Sequence, residues 1–259
     1  MVRLGPKETA VIARLSYEKA TVVTKDRLES LFGETVLVRQ VIYQLRKKGI
    51  LQPITKGVYY YSPLESGPAG SRINEFLIPP ILFPRGNYYV GYSNMYNYYG
   101  YTDQLFQTLY VLNTSLQRDR TIGGRPFKLL KIPSSRMYGL ETIQINKTEV
   151  VVSDRERTLV DLVNYPDPVG GLKRAFEIVR EQVVSKKIDL QQFIRYTLSF
   201  PVKSVQKRIG YVLEGCGTAP KILDPLKRKV QDTSLITLYG SKSRKGKINN
   251  QWKVILDAS

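Results

Sequence analysis

The sequence predicts an α+β fold: an N-terminal winged helix-turn-helix followed by a larger mixed α/β C-terminal domain. Three observations point there. Between Glu8 and Lys48 short segments carry helical periodicity, and two alternating segments follow with Lys56-Gly57 between them. A Pro-, Gly- and Ser-rich stretch, SPLESGPAGS over 62–71, interrupts the chain. Beyond it, strand-like and helix-like segments are interspersed. The expected domains are a winged helix over 1–62, a linker over 63–71 and a C-terminal domain over 72–259.

The elements are expected in order. Glu8 to Leu15 reads as a helix with Val11, Ile12 and Leu15 inward. Thr24 should cap a second helix from Lys25 to Phe32, and Gly33 stands where a helix ends. Thr35 should cap a third, running to about Lys48, with Val38, Val41, Ile42 and Leu45 on one face. Its basic last turn suits the helix dipole, and Gly49 closes it. Ile50 to Thr55 and Val58 to Tyr61 read as the wing strands, the first held to an edge by Pro53. Ile73 to Leu77 reads as a short helix stopped by Pro79 and Pro80. Strands are expected over 107–112, 127–132, 142–145 and 149–152, and helices over 154–164, 168–184, 189–198 and 202–214. From Ile222 the tail reads as basic loops with strand-like pieces at 235–239 and 251–256.

Charge narrows the function classes. The chain of 259 residues carries 40 Lys+Arg against 22 Asp+Glu, a net of +18, which favours a polyanionic partner. Residues 1–62 hold 11 basic and 5 acidic residues, and 201–259 hold 12 and 4, so both ends are basic. The absence of histidine excludes Ser-His-Asp and Cys-His catalysis and His-based zinc sites. One cysteine, Cys216, allows no internal disulfide, in keeping with a reducing, cytoplasmic setting. No apolar run is long enough to span a bilayer, and no membrane partner is expected.

The third predicted helix supplies the candidate site. Thr35, Arg39, Gln40, Tyr43, Gln44, Arg46, Lys47 and Lys48 lie off its apolar face, and Lys56 sits at the hairpin tip. These residue types contact base edges and phosphates, so the reading is double-stranded DNA with this helix in the major groove. Lys227, Arg228, Lys229, Arg244, Lys245 and Lys247 form a possible second basic surface.

Other motifs read as structure. Ser153 and Glu156 have capping-box spacing before an apolar run, and Arg157 can pair with Asp161. Asp154 and Glu156 are therefore not taken as a metal pair. The Gly240-Ser241 turn is followed only by Asp257, too few carboxylates for a nucleotidyltransferase metal site, so it reads as a basic loop. Seven tyrosines between Tyr88 and Tyr101 read as a core edge rather than a base-stacking platform, with Ser93 capping a short helix. Neither Gly123-Gly124 nor Gly170-Gly171 has phosphate-loop spacing. No catalytic residue, metal or cofactor is expected, and the protein is read as a non-enzyme.

The ordered set of motifs resembles the AbiEi family, antitoxins of type IV toxin-antitoxin systems that also occur as abortive-infection transcriptional regulators. The pieces are Lys47-Lys48-Gly49-Ile50-Leu51 with Lys56-Gly57-Val58-Tyr59, then Tyr92-Ser93-Asn94 leading to Tyr99-Gly100-Tyr101-Thr102-Asp103-Gln104. Val152-Ser153-Asp154-Arg155-Glu156-Arg157-Thr158-Leu159 follows, then Arg208-Ile209-Gly210-Tyr211-Val212-Leu213-Glu214 and Asn249-Asn250-Gln251-Trp252-Lys253-Val254. Asn94-Met95-Tyr96 departs from the small apolar residues expected after Ser93. The resemblance implies a repressor that binds inverted repeats in its own promoter. It also implies an antitoxin that counters a cognate nucleotidyltransferase toxin, with no stable complex required. The alternative is a stand-alone winged-helix regulator with a ligand-sensing C-terminal domain.

Overall fold

Helix α1 (Pro6–Tyr17) starts on a proline, which fits a first turn that needs no N–H, and Glu8 reaches back to accept the Gly5 N–H at 2.8 Å. Strand β1 (Val22–Thr24) leads into α2 (Lys25–Phe32), capped as expected by Thr24, whose hydroxyl accepts the Arg27 N–H at 3.2 Å. Helix α3 (Thr35–Lys47) ends where Gly49, at φ +74°, donates to the Arg46 carbonyl and Ile50 donates to that of Leu45. Those two bonds satisfy carbonyls that the last helical turn would otherwise leave bare. Strands β2 (Leu51–Thr55) and β3 (Val58–Tyr61) complete an antiparallel sheet of order β1-β3-β2, with Pro53 on its edge strand. The computed structural model describes residues 3–33, 35–63 and 74–257. Most of the expected linker, and the start of the helix expected at Ile73, lie outside the described residues.

The next elements form a mixed six-stranded sheet. The short helix expected to end at Leu77 is a single 3-10 turn over Glu75–Leu77 within the described residues, and α4 (Ile78–Leu82) follows directly with Pro79 and Pro80, which were expected to stop a helix. They occupy its first turn instead, where their missing N–H groups cost nothing. Then come β4 (Tyr88–Val90), α5 (Ser93–Tyr98), β5 (Leu109–Asn113), β6 (Arg120–Ile122), β7 (Arg125–Lys131), β8 (Leu140–Ile145) and β9 (Thr148–Ser153). Their order is β6-β7-β5-β4-β9-β8, with parallel pairs β5/β7 and β4/β9.

Helices α6 (Arg155–Asn164), α7 (Leu172–Val184), α8 (Leu190–Ser199), α9 (Lys203–Gly215) and α10 (Pro220–Val230) pack on one another and share a core with one face of that sheet. A small sheet of order β10-β12-β11 follows, from β10 (Ile236–Thr237), β11 (Gly246–Asn249) and β12 (Val254–Asp257). Helix α10 replaces the loop expected after Ile222. Leu223, Leu226 and Val230 are buried along it at helical spacing, which outweighs the internal Pro225. Tyr89 and Leu112 face the helices, whereas Tyr88, Val90, Leu109 and Val111 face the other way, as strand alternation requires.

That opposite face meets the N-terminal sheet. Tyr59 and Tyr61 pack on α1–α3, while Tyr60, pointing the other way, joins Ile54 in a core with Ile78, Tyr88, Val90 and Phe127. The Arg120 guanidinium donates to the Ile54 carbonyl at 3.2 Å across the same contact. Consecutive tyrosines on one strand therefore serve two cores. At the far end, Trp252 is fully buried over Gly210, where a Cβ would come within 2.0 Å of the ring, and its indole N–H donates to Glu214 at 2.9 Å. Truncating Tyr60 to Ala should cost about 3–5 kcal/mol in equilibrium urea unfolding, the usual scale for emptying a buried aromatic site. A loss below about 1 kcal/mol would show that the two sheets are not packed through it.

Candidate nucleic-acid interface

The outer face of α3 is set by the burial of the inner one. Val38, Val41, Ile42 and Leu45 are in the core, so Arg39, Gln40, Tyr43, Arg46 and Lys47 are turned to solvent. Tyr43 is 61% exposed on this face. Thr35 lies in the first turn, and its expected capping and contact roles concern a side chain outside those described. Lys56 is exposed beside Gly57, whose φ of +76° makes the tight hairpin tip. The hairpin is anchored to α2 where the Lys25 N–H donates to the Gly57 carbonyl at 2.7 Å.

Two carboxylates of the N-terminal unit are already engaged. Glu18 is held by Arg14 and Arg27, each at 2.6 Å, and Glu29 by Lys25 at 2.7 Å. Arg39, Arg46, Lys47 and Lys56 make no ion pair with any described residue, so their charge adds to an outward positive potential.

Two expected contact residues are placed differently. Lys48 turns back to α1 and forms an ion pair with Glu8, so its ammonium ties α1 to α3. Gln44 is half-buried and, with Gln40, lines the groove between α3 and the start of α1. Lys48 was misplaced because its partner stands 40 positions earlier and no local pattern announces it.

The expected second basic surface is only partly free. Lys227 is half-buried, 3.9 Å from Glu214 and stacked toward Trp252 at 6.0 Å, so it belongs to the packing around that ring. Arg228, Lys229, Arg244, Lys245 and Lys247 are exposed, the first two on α10 and the others on the loop and strand of the small sheet.

The remaining motifs take structural places. The cap of α6 is Asp154, which accepts the Arg157 N–H at 2.7 Å, not Ser153. The Ser153 hydroxyl instead meets Thr158 at 2.8 Å, and Glu156 accepts the Asp189 N–H at 2.8 Å. Ser93 does not cap α5 either; it is buried within its first turn. Tyr88, Tyr89, Tyr92, Tyr96 and Tyr101 are buried, in agreement with the core reading, while Tyr98 is half exposed. Arg157 and Asp161 do pair, at 3.2 Å, with both side chains fully buried. Among the described residues no cluster of His, Cys, Asp or Glu could hold a metal ion, and no helix is long and apolar enough to cross a membrane.

No protein-family model and no curated protein matches the chain. Among solved structures, the fold is similar to that of the RV2827C protein from Mycobacterium tuberculosis, at 17% identity and a TM-score of 0.66. The similarity covers 98% of this chain and 92% of that one, so the arrangement of elements is shared along nearly the whole length.

Lys48, with the Gly5 N–H, holds the Glu8 carboxyl below the usual carboxylate range. A lowered pKa means stability that is present above the usual range and lost as pH falls through the lowered value. Thermal unfolding should therefore lose stability on acidification less steeply in Glu8→Gln than in the wild type. Identical acid slopes would show that the α1–α3 tie carries no such linkage.

Proposed function

We propose that residues 1–62 form a winged helix that binds double-stranded DNA, with α3 in the major groove and the β2–β3 hairpin as the wing. The observation that carries this reading is the outer face of α3. Arg39, Gln40, Tyr43, Arg46 and Lys47 share that face, and Lys56 projects from a separate hairpin. Arginine and glutamine match purine edges in the major groove, and lysines match phosphates. The order of helices and strands, α1-β1-α2-α3-β2-β3, is also what such a module needs.

On this reading the protein represses its own operon by binding inverted repeats in the promoter. Residues 72–259 serve as an antitoxin domain against a cognate nucleotidyltransferase toxin, without catalysing a reaction. The operon and toxin rest on the resemblance of the ordered motifs. Four of those motifs meet in the fold as two pairs: Tyr99 bonds the Ser153 carbonyl and Tyr101 that of Arg155, and Glu214 holds Trp252. The exposed lysines and arginines of the small sheet and α10 extend the positive charge beyond the module.

Binding of duplexes to single-site variants tests the assignment. Arg39→Ala should cost about 1–3 kcal/mol on the preferred duplex and relax sequence preference. Equal weakening on preferred and random DNA would remove Arg39 from base reading. Lys56→Ala should reduce the slope of log affinity against log salt by about one and leave preference unchanged. An altered preference would contradict a phosphate-only contact.

A further inference from the structure

Where the end of α5, the start of α6 and the end of α7 meet, a cleft of about 480 Å³ is lined by Tyr99, Gly100, Arg155, Gln182 and Lys187. Gln182 is only 7% exposed, and its Oε1 has no hydrogen-bond partner among the described residues. A buried amide oxygen left unpaired is costly, so such a group in a cleft wall marks a contact still to be made. The carboxamide can turn over, so it can offer a ligand an acceptor or donors. Arg155 and Lys187 are exposed and form no ion pair with a described residue.

The neighbouring carboxylates have partners: Glu177 and Glu181 of α7 pair with Arg174 at 3.0 and 3.2 Å. Glu141 is 2.6 Å from the Tyr99 hydroxyl, Glu156 accepts the Asp189 N–H, and Asp189 accepts the N–H groups of Gln191 and Gln192. Burial, then Glu141, pushes the Tyr99 hydroxyl far above its ordinary pKa, so it stays protonated. The Tyr99 ring is already engaged by Arg155 at 4.9 Å, Tyr98 at 5.1 Å and Tyr101 at 5.9 Å. It is packed rather than offered to a nucleobase. Gly100, at φ +71° with open space where a Cβ would stand, leaves the backbone accessible to a ligand.

Two cations without an ion-pair partner among the described residues, and one polar group in want of a hydrogen bond, suit an anion that also carries hydroxyls. We propose that this cleft binds a sugar phosphate, with the phosphate between Arg155 and Lys187 and a hydroxyl on the Gln182 carboxamide. The site is independent of the DNA reading, because it needs no operator and shares no residue with α3. If both hold, it gives the larger domain a small-molecule input.

The test is an NMR titration of the full-length, nitrogen-labelled protein with ribose 5-phosphate, inorganic phosphate and ribose. Ribose 5-phosphate should shift the Gly100 amide and the Gln182 side-chain amide, inorganic phosphate should do so more weakly, and ribose should not. Arg155→Gln and Lys187→Gln, both at exposed positions, should each weaken ribose 5-phosphate about tenfold, the usual effect of losing one charge-assisted contact. Gln182→Met, of similar volume, should weaken ribose 5-phosphate while leaving inorganic phosphate unchanged. No shift at Gly100 and Gln182 with ribose 5-phosphate, equal binding of ribose, or undiminished binding in the two charge variants would overturn the proposal. The readout is separate from DNA binding, so either reading can fail alone.

Discussion

The fully buried guanidinium of Arg157 is the interaction on which the larger part of the fold turns. It donates to Asp161 on its own helix at 3.2 Å, to the Tyr89 hydroxyl on β4 at 2.8 Å, and to the Arg136 and Tyr138 carbonyls at 3.0 and 3.1 Å. Its Cζ lies over the Tyr138 ring, 4.5 Å from the centroid. One side chain thus fixes α6 against the sheet and against the segment entering β8. Gly139 must be glycine for this, since a Cβ there would stand 2.7 Å from that of Arg157. Burial works against both charges and pushes the Asp161 carboxyl up, while Asp161 keeps Arg157 protonated. Such a pair adds little net stability compared with apolar packing, but breaking it costs several kcal/mol, about 3–5 in comparable cases. Its value here is geometric, because every donor is aimed at a different element.

From that fixed sheet the constraint passes to the N-terminal unit. The six-stranded sheet's second face receives Tyr60 and Ile54, and the other face of the N-terminal sheet holds α1–α3 through Tyr59 and Tyr61. The exposed face of α3 is consequently carried on packed secondary structure rather than on a tether. On the proposed DNA-binding reading this matters, because recognition of paired half-sites needs a defined angle between α3 and the rest of the molecule.

Local physics was legible in the sequence, and long-range pairing was not. Thr24, Gly33 and Gly49 marked helix ends because caps and left-handed glycines act within a few residues. The apolar stripe of α3 and the valine-rich strand β9 were equally plain. The α6 cap slipped by one residue because Ser153, Asp154 and Glu156 all have capping chemistry, and Thr158 claimed the serine. Helix α10 was missed because Pro225 and the Lys227-Arg228-Lys229 run outweighed three well-spaced apolar residues. The spacing announced the pairing of Arg157 with Asp161 but not its burial, on which four-residue spacing carries no information. The cleft gathers residues from 99 to 187 that share no local pattern. Its one clue in the sequence was the density of tyrosine before Gly100.

The most direct measurement is salt-titrated binding of the full-length protein to the duplex immediately upstream of its own gene, against a shuffled duplex of equal composition. The account predicts a preference for the native duplex that persists near physiological salt, about 150 mM, because base contacts do not fade with counterion release. Equal affinity for both duplexes, vanishing together as salt rises, would mean that the exposed face of α3 contributes charge alone, and would contradict the claim that it reads sequence.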